Sequence, residues 1–119
     1  MQTLNAPGTF LLNSFFSAST NVAQISSALN VRGVIISDVS FNWYMGAINS
    51  AIQADLRNLA GTEFAANFYD DNGATGPINQ SKAMVFPSRY FFAAGVQINF
   101  NISIVGTGRL TFSALARIL

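Results

Sequence analysis

The chain has 119 residues, of which six are Lys or Arg and five are Asp or Glu, with no His and no Cys. Charged residues make up 9% of it, against roughly 25% in a typical soluble domain, and eleven residues are Phe. Without Cys there is no disulfide framework or thiolate site, and without His the commonest general base and metal ligand is missing.

Residues 1–8, which include Pro7-Gly8, are expected to form a flexible N-terminal arm, and residues 9–119 a single domain. Thr9 to Phe16 has strand character, whereas Ser19 to Asn30 fits either strand or loop. Val31 to Ile36 is apolar on both faces apart from Arg32 and Gly33. Val39, Phe41, Trp43 and Met45 then alternate with Ser40, Asn42 and Tyr44, and the break at Ser37-Asp38 fits a bulge or a turn between two strands. Ala51 to Asn58 and Thr62 to Tyr69 are expected to pair through Leu59-Ala60-Gly61, with Ile52, Ala54, Leu56, Phe64, Ala66 and Phe68 facing inward. A helix rivals this reading over 47–59, because Ile48, Ile52 and Leu56 recur every four residues. Asp70 to Lys82 is rich in Gly, Pro and Asn and is expected to be one long loop.

The clearest alternation closes the chain. Val96, Ile98, Phe100, Ile102 and Ile104 alternate with Gln97, Asn99, Asn101 and Ser103. Leu110, Phe112, Ala114, Ala116 and Ile118 alternate with Thr111, Ser113, Leu115 and Arg117. With Gly106-Thr107-Gly108-Arg109 between them, the two runs are expected to form a long antiparallel hairpin. Short strands with turn signals every 8–12 residues predict an all-β fold, a single antiparallel β-sandwich of jelly-roll type.

Chemistry is sparse. The basic residues Arg32, Arg57, Lys82, Arg89, Arg109 and Arg117 are scattered, so no nucleic-acid stripe forms. No window of about 18 uninterrupted apolar residues exists, which argues against membrane insertion, and the first basic residue, Arg32, comes too late for a charged leader. Asp70-Asp71-Asn72-Gly73 has part of a calcium loop but lacks later acidic ligands, and a turn is the simpler reading. Gly106-Thr107-Gly108 is likewise a turn rather than a phosphate loop. Asn79-Gln80-Ser81 and Asn101-Ile102-Ser103 match a glycosylation pattern that arises readily by chance. Asp38, Asp55, Glu63, Asp70 and Asp71 have no base, nucleophile or metal cluster beside them. The sequence therefore predicts no enzyme, no cofactor and no metal site, and leaves a small-molecule ligand open.

Phe41, Trp43, Phe64, Phe68, Phe100 and Phe112 fall on inward phases. Tyr44, Tyr69, Tyr90 and one of Phe91 or Phe92 fall on the other. Leu115 and Leu119 oppose the core phase of the last strand. Large apolar groups on both sides of a strand mark contact surfaces, so Tyr90, Phe91, Phe92, Leu115 and Leu119 are candidate oligomer-interface residues.

The segment Phe86-Pro87-Ser88-Arg89-Tyr90-Phe91-Phe92-Ala93-Ala94-Gly95-Val96 leads into Gln97 to Ile102, and the closing strand Leu110 to Leu119 follows. This arrangement resembles the final third of small β-sandwich and jelly-roll virion proteins of bacteriophages, and Val39 to Phe68 is similar to their central hairpins. The resemblance implies a structural subunit located in the virion, as a minor capsid, vertex or penton, decoration or spike-base protein. It implies a ring or trimer of the chain with itself, docked to other virion proteins. The alternative is a carbohydrate- or receptor-binding β-sandwich module.

Overall fold

Most strands in this chain have one apolar face to bury, and two sheets laid face to face cover those faces. The computed structural model describes Leu4 and residues 6–119. The strands are β1 (Gly8–Phe16), β2 (Thr20–Ile25), β3 (Val34–Met45), β4 (Ala51–Asn58), β5 (Phe64–Asp71), β6 (Gln80–Phe86), β7 (Tyr90–Phe92), β8 (Ile98–Val105) and β9 (Gly108–Ile118). Among the described residues there is no helix, and β4 occupies most of the stretch for which a helix was the rival. Of the expected arm, residues 1–3 and 5 lie outside the described residues, Leu4 packs against the core, and β1 already begins at Gly8.

One sheet has the order β1-β9-β3-β6, with β7 pairing β3 beyond the end of β6; the other has the order β2-β8-β4-β5. Counting β6 and β7 as one lane gives eight lanes, all antiparallel, in the strand order of a jelly roll.

The expected closing hairpin is corrected here. β8 belongs to the second sheet and β9 to the first, so the turn between them crosses the sandwich instead of joining neighbours. Both strands bury their apolar phase, and they do so against each other: the rings of Phe100 and Phe112 lie 4.1 Å apart. The crossing is tight at Gly106, where φ is 75° and a Cβ would meet Ser50 Oγ at 2.7 Å.

Bulges in β2, β3 and β5 shift the register, and the last two decide which side chains face inward. In β3 the pairing with β9 slips between Ser37 and Ser40, with Asp38 at φ 52°. The extra residue lets even-numbered Val34 and Ile36 and odd-numbered Val39, Phe41, Trp43 and Met45 share one inward face. In β5 the register runs from Ala66 to Phe64 as its partner moves from Leu56 to Arg57. Phe64 therefore faces outward and is 38% exposed, which corrects its expected inward position.

Aromatic rings meet at the centre of a mostly aliphatic core. Phe41 lies 4.9 Å from Phe68, 5.8 Å from Phe86 and 6.0 Å from Phe112 between ring centroids. Trp43 stacks on Phe68 at 4.3 Å. The loop expected over Asp70 to Lys82 is shorter than that, spanning 72–79, because β5 runs to Asp71 and β6 starts at Gln80.

Candidate interaction surface

The register of the first sheet fixes what its outer face presents. Across it run Thr9–Arg117–Ile35–Phe91, then Leu11–Leu115–Ser37, then Asn13–Ser113–Ser40–Val85, then Phe15–Thr111–Asn42–Ala83, and finally Arg109–Tyr44–Ser81. Arg109 and Arg117 stand at opposite ends of these rows, Arg89 lies beside Ile35, Ser37 and Arg117, and the bulge between Ser37 and Ser40 adds the exposed Asp38, whose carboxylate accepts from the Ser37 hydroxyl at 3.5 Å. Arg109 is satisfied locally, its guanidinium lying 4.4 Å above the Tyr44 ring. Between the cations, Leu11, Phe15, Val85 and Phe91 are each more than half exposed, at 56, 61, 65 and 53%. A shallow groove of about 360 Å³ crosses this face, floored by Asn42 and Thr111 and walled by Phe15, Ala83 and Arg109.

The five residues expected at an oligomer contact separate into two groups. Phe91 lies on this outer face, its ring so close over Gly33 that a Cβ there would sit 2.4 Å from it. Leu115 is half-buried in the row between Leu11 and Ser37, and Leu119 is half-buried at the end of the chain, its amide donating to Gly33 O at 3.1 Å. Phe92 and Tyr90 point the other way. They pair with inward-facing Val34 and Ile36, and Phe92 is wholly buried. Tyr90 packs on Phe92 at 4.7 Å and its hydroxyl donates to Glu63 at 2.9 Å. The hydrogen bond to that carboxylate raises the phenol above its ordinary pKa. Phe92 is thus corrected from surface to core, and Tyr90 is half-buried against the edge of the core. The sequence reading missed Leu11 and Phe15, although Phe10-Leu11-Leu12 and Phe15-Phe16 carry the same two-sided apolar signature that singled out Leu115.

The Asp70-Asp71-Asn72-Gly73 segment is a structural tie. Asp70 accepts from Trp43 Nε1 at 2.7 Å and pairs with Lys82 Nζ at 3.1 Å, while Asp71 accepts from the Gly73 amide at 2.6 Å. Asn72 is buried; it accepts from the Ser50 amide at 2.8 Å and donates to the carbonyls of Ala47 and Pro77. Among the described residues no group of three or more His, Cys, Asp or Glu could hold a metal ion. Of the glycosylation-pattern residues, Asn79 is exposed and accepts from the Tyr44 hydroxyl, whereas Asn101 is half-buried within β8.

No protein-family model and no curated protein matches this chain. Among solved structures it is similar to the Eiger TNF of S. frugiperda, at 12% identity and a TM-score of 0.47, over 96% of this chain and 92% of that one. It is similar to the VP2 subviral particle of infectious bursal disease virus at 11% identity and a TM-score of 0.45, over 94% of this chain but only 32% of VP2. A third likeness is the Yersinia pseudotuberculosis-derived mitogen, at 14% identity and a TM-score of 0.40, over 91% of this chain and 85% of that one. None of the three is a bacteriophage protein.

Proposed function

We propose that this chain is a non-enzymatic structural subunit of a virus particle that works by self-assembly and by docking to other virion proteins. One observation carries the reading: a jelly-roll sheet whose outer face exposes Leu11, Phe15, Val85 and Phe91 among neighbours that are mostly uncharged. Isolated exposed apolar residues are ordinary, but four on one face are a contact surface.

The occupant is a second copy of the chain. Four lanes at about 4.8 Å and the eleven residues of β9 at about 3.4 Å give a face of roughly 700 Å². That is close to the ~800 Å² per partner of a standard interface. A ring or trimer would also cover the β1 and β2 edges, which carry no charged residue. The bacteriophage origin, and a place as minor capsid, vertex, decoration or spike-base protein, rest on the resemblance around Phe86 to Ile102.

Native mass spectrometry at micromolar concentration tests the assembly. The wild type should appear as one closed oligomer, and Leu11→Lys or Val85→Lys should yield folded monomers with unchanged melting, since neither side chain reaches the core. A monomeric wild type would overturn the proposal.

A further inference from the structure

The second sheet turns a different kind of surface to solvent. Its outer rows are Ala23–Asn99–Arg57–Phe64, Asn21–Asn101–Asp55–Asn67 and Ser103–Gln53–Tyr69. Amides dominate, and part of the array is already ordered: Gln97 donates to Asn99 at 2.9 Å, and Asn99 to Asn21 at 2.9 Å.

Two groups on this face lack partners. Asp55 is only 3% exposed although its side chain is on the outward phase, and among the described residues no ion pair or side-chain hydrogen bond holds its carboxylate, whose oxygens keep a narrow contact with solvent. Two positions along the same face of β4, toward the turn at Gly61, the Arg57 Nε–H is buried without an acceptor. A carboxylate largely removed from water calls for donors and a desolvated N–H for an acceptor. A hydroxyl supplies either role.

Aromatic rings flank this centre on β5. Phe64 is 38% exposed and Tyr69 62% exposed, opposite Arg57 and Gln53 respectively. Four residues of strand separate those partners, so the rings stand roughly 14 Å apart along the sheet. Asp55 and Asn67 lie between them.

We propose that this face binds a neutral oligosaccharide of two to three sugar rings, laid along β4 and β5. Phe64 and Tyr69 offer their faces to the C–H sides of the outer sugars, and Asp55, Asn67 and Asn101 hydrogen-bond the hydroxyls of the middle of the ligand. Arg57 turns its unpaired donor to a neighbouring hydroxyl. The unpaired Asp55 carboxylate disfavours phosphate or sulfate ligands, and the face has one cation where a nucleic-acid surface needs several. The site is on the sheet opposite the self-association face, so glycan binding and assembly stand or fall separately.

The test is calorimetric titration of the intact chain with maltotriose, cellotriose, chitotriose and laminaritriose, each to about 10 mM, a range that captures weak sites. One of the four should saturate, with a Kd between about 10 µM and 1 mM. Asp55→Asn, Phe64→Ala and Tyr69→Ala should each weaken it about tenfold or more, whereas Leu11→Lys should leave it unchanged. Tyr69 is exposed enough that its truncation leaves the fold intact, and melting curves check the other two. The proposal is overturned if none of the four trisaccharides saturates, if binding survives all three substitutions, or if a sulfated trisaccharide or a single-stranded oligonucleotide binds in preference.

Discussion

Trp43 sits at the rim of the core, 6% exposed, and a buried indole N–H needs an acceptor. Asp70 is that acceptor, and Lys82 holds its other oxygen. Partial desolvation pushes the Asp70 carboxyl upward, but the bonds from Trp43 and Lys82, the Lys82 charge and the Asp71 amide together outweigh it, and the net shift is downward. A carboxyl depressed by folding stabilises at neutral pH, and its contribution is lost as pH falls below the unfolded value of about 3.9 and through the folded one. Asp70→Asn should therefore melt below the wild type at pH 7, with the gap closing toward pH 3. A gap independent of pH would show that the charge of Asp70 is not what stabilises. Trp43→Phe should cost about 1–2 kcal/mol in urea unfolding, by removing one hydrogen bond to a charged acceptor. Phase alone identified Phe41, Trp43, Phe68, Phe100 and Phe112 as core residues, and all are buried. It failed at Phe64, where a bulge reverses the count, and at Tyr90, in a strand of three residues too short to display a period.

Alternation states which face of a strand is buried but not which strand lies beside it. This is why β8 and β9 were legible as strands and illegible as partners: Gly106 and Thr107 suit a hairpin and a sheet-to-sheet crossing equally well. The Asn-rich links hid a second feature. Asn30, Asn58 and Asn72 are all buried, and each bonds backbone groups that no strand satisfies. Composition showed them as polar surface, whereas they anchor the ends of the loops. The link after β5 therefore divides into a fixed base and a free tip. Asn72→Ala would leave the Ser50 amide and the Pro77 carbonyl without partners, the Ala47 carbonyl keeping its bond from the Ser50 hydroxyl, and should cost roughly 2–3 kcal/mol. Two extra residues between Ala74 and Thr75, both exposed, should cost less than about 1 kcal/mol, because loop-closure entropy grows slowly with length. Urea midpoints of the two variants compare them directly, and the reverse ranking would mean that the tip, not Asn72, holds the link.

At the scale of the whole molecule the sandwich presents two unlike faces, one with exposed apolar side chains along its two edge lanes, the other rich in amides. Charge contributes little to association through the first, where Arg89, Arg109, Arg117 and Asp38 are scattered among uncharged residues. Such a face attracts a neighbouring copy through Leu11, Phe15, Val85 and Phe91. Raising salt from about 0.1 to 1 M shortens the screening length from about 10 to 3 Å. It would weaken contacts built on ion pairs but leaves apolar contacts unscreened, and kosmotropic anions strengthen apolar burial further. The oligomer measured by sedimentation velocity should therefore hold or tighten across that range in sodium chloride, and tighten more in sodium sulfate. A loss of association of about tenfold or more at 1 M sodium chloride would show that charged residues elsewhere, not this sheet face, join the subunits.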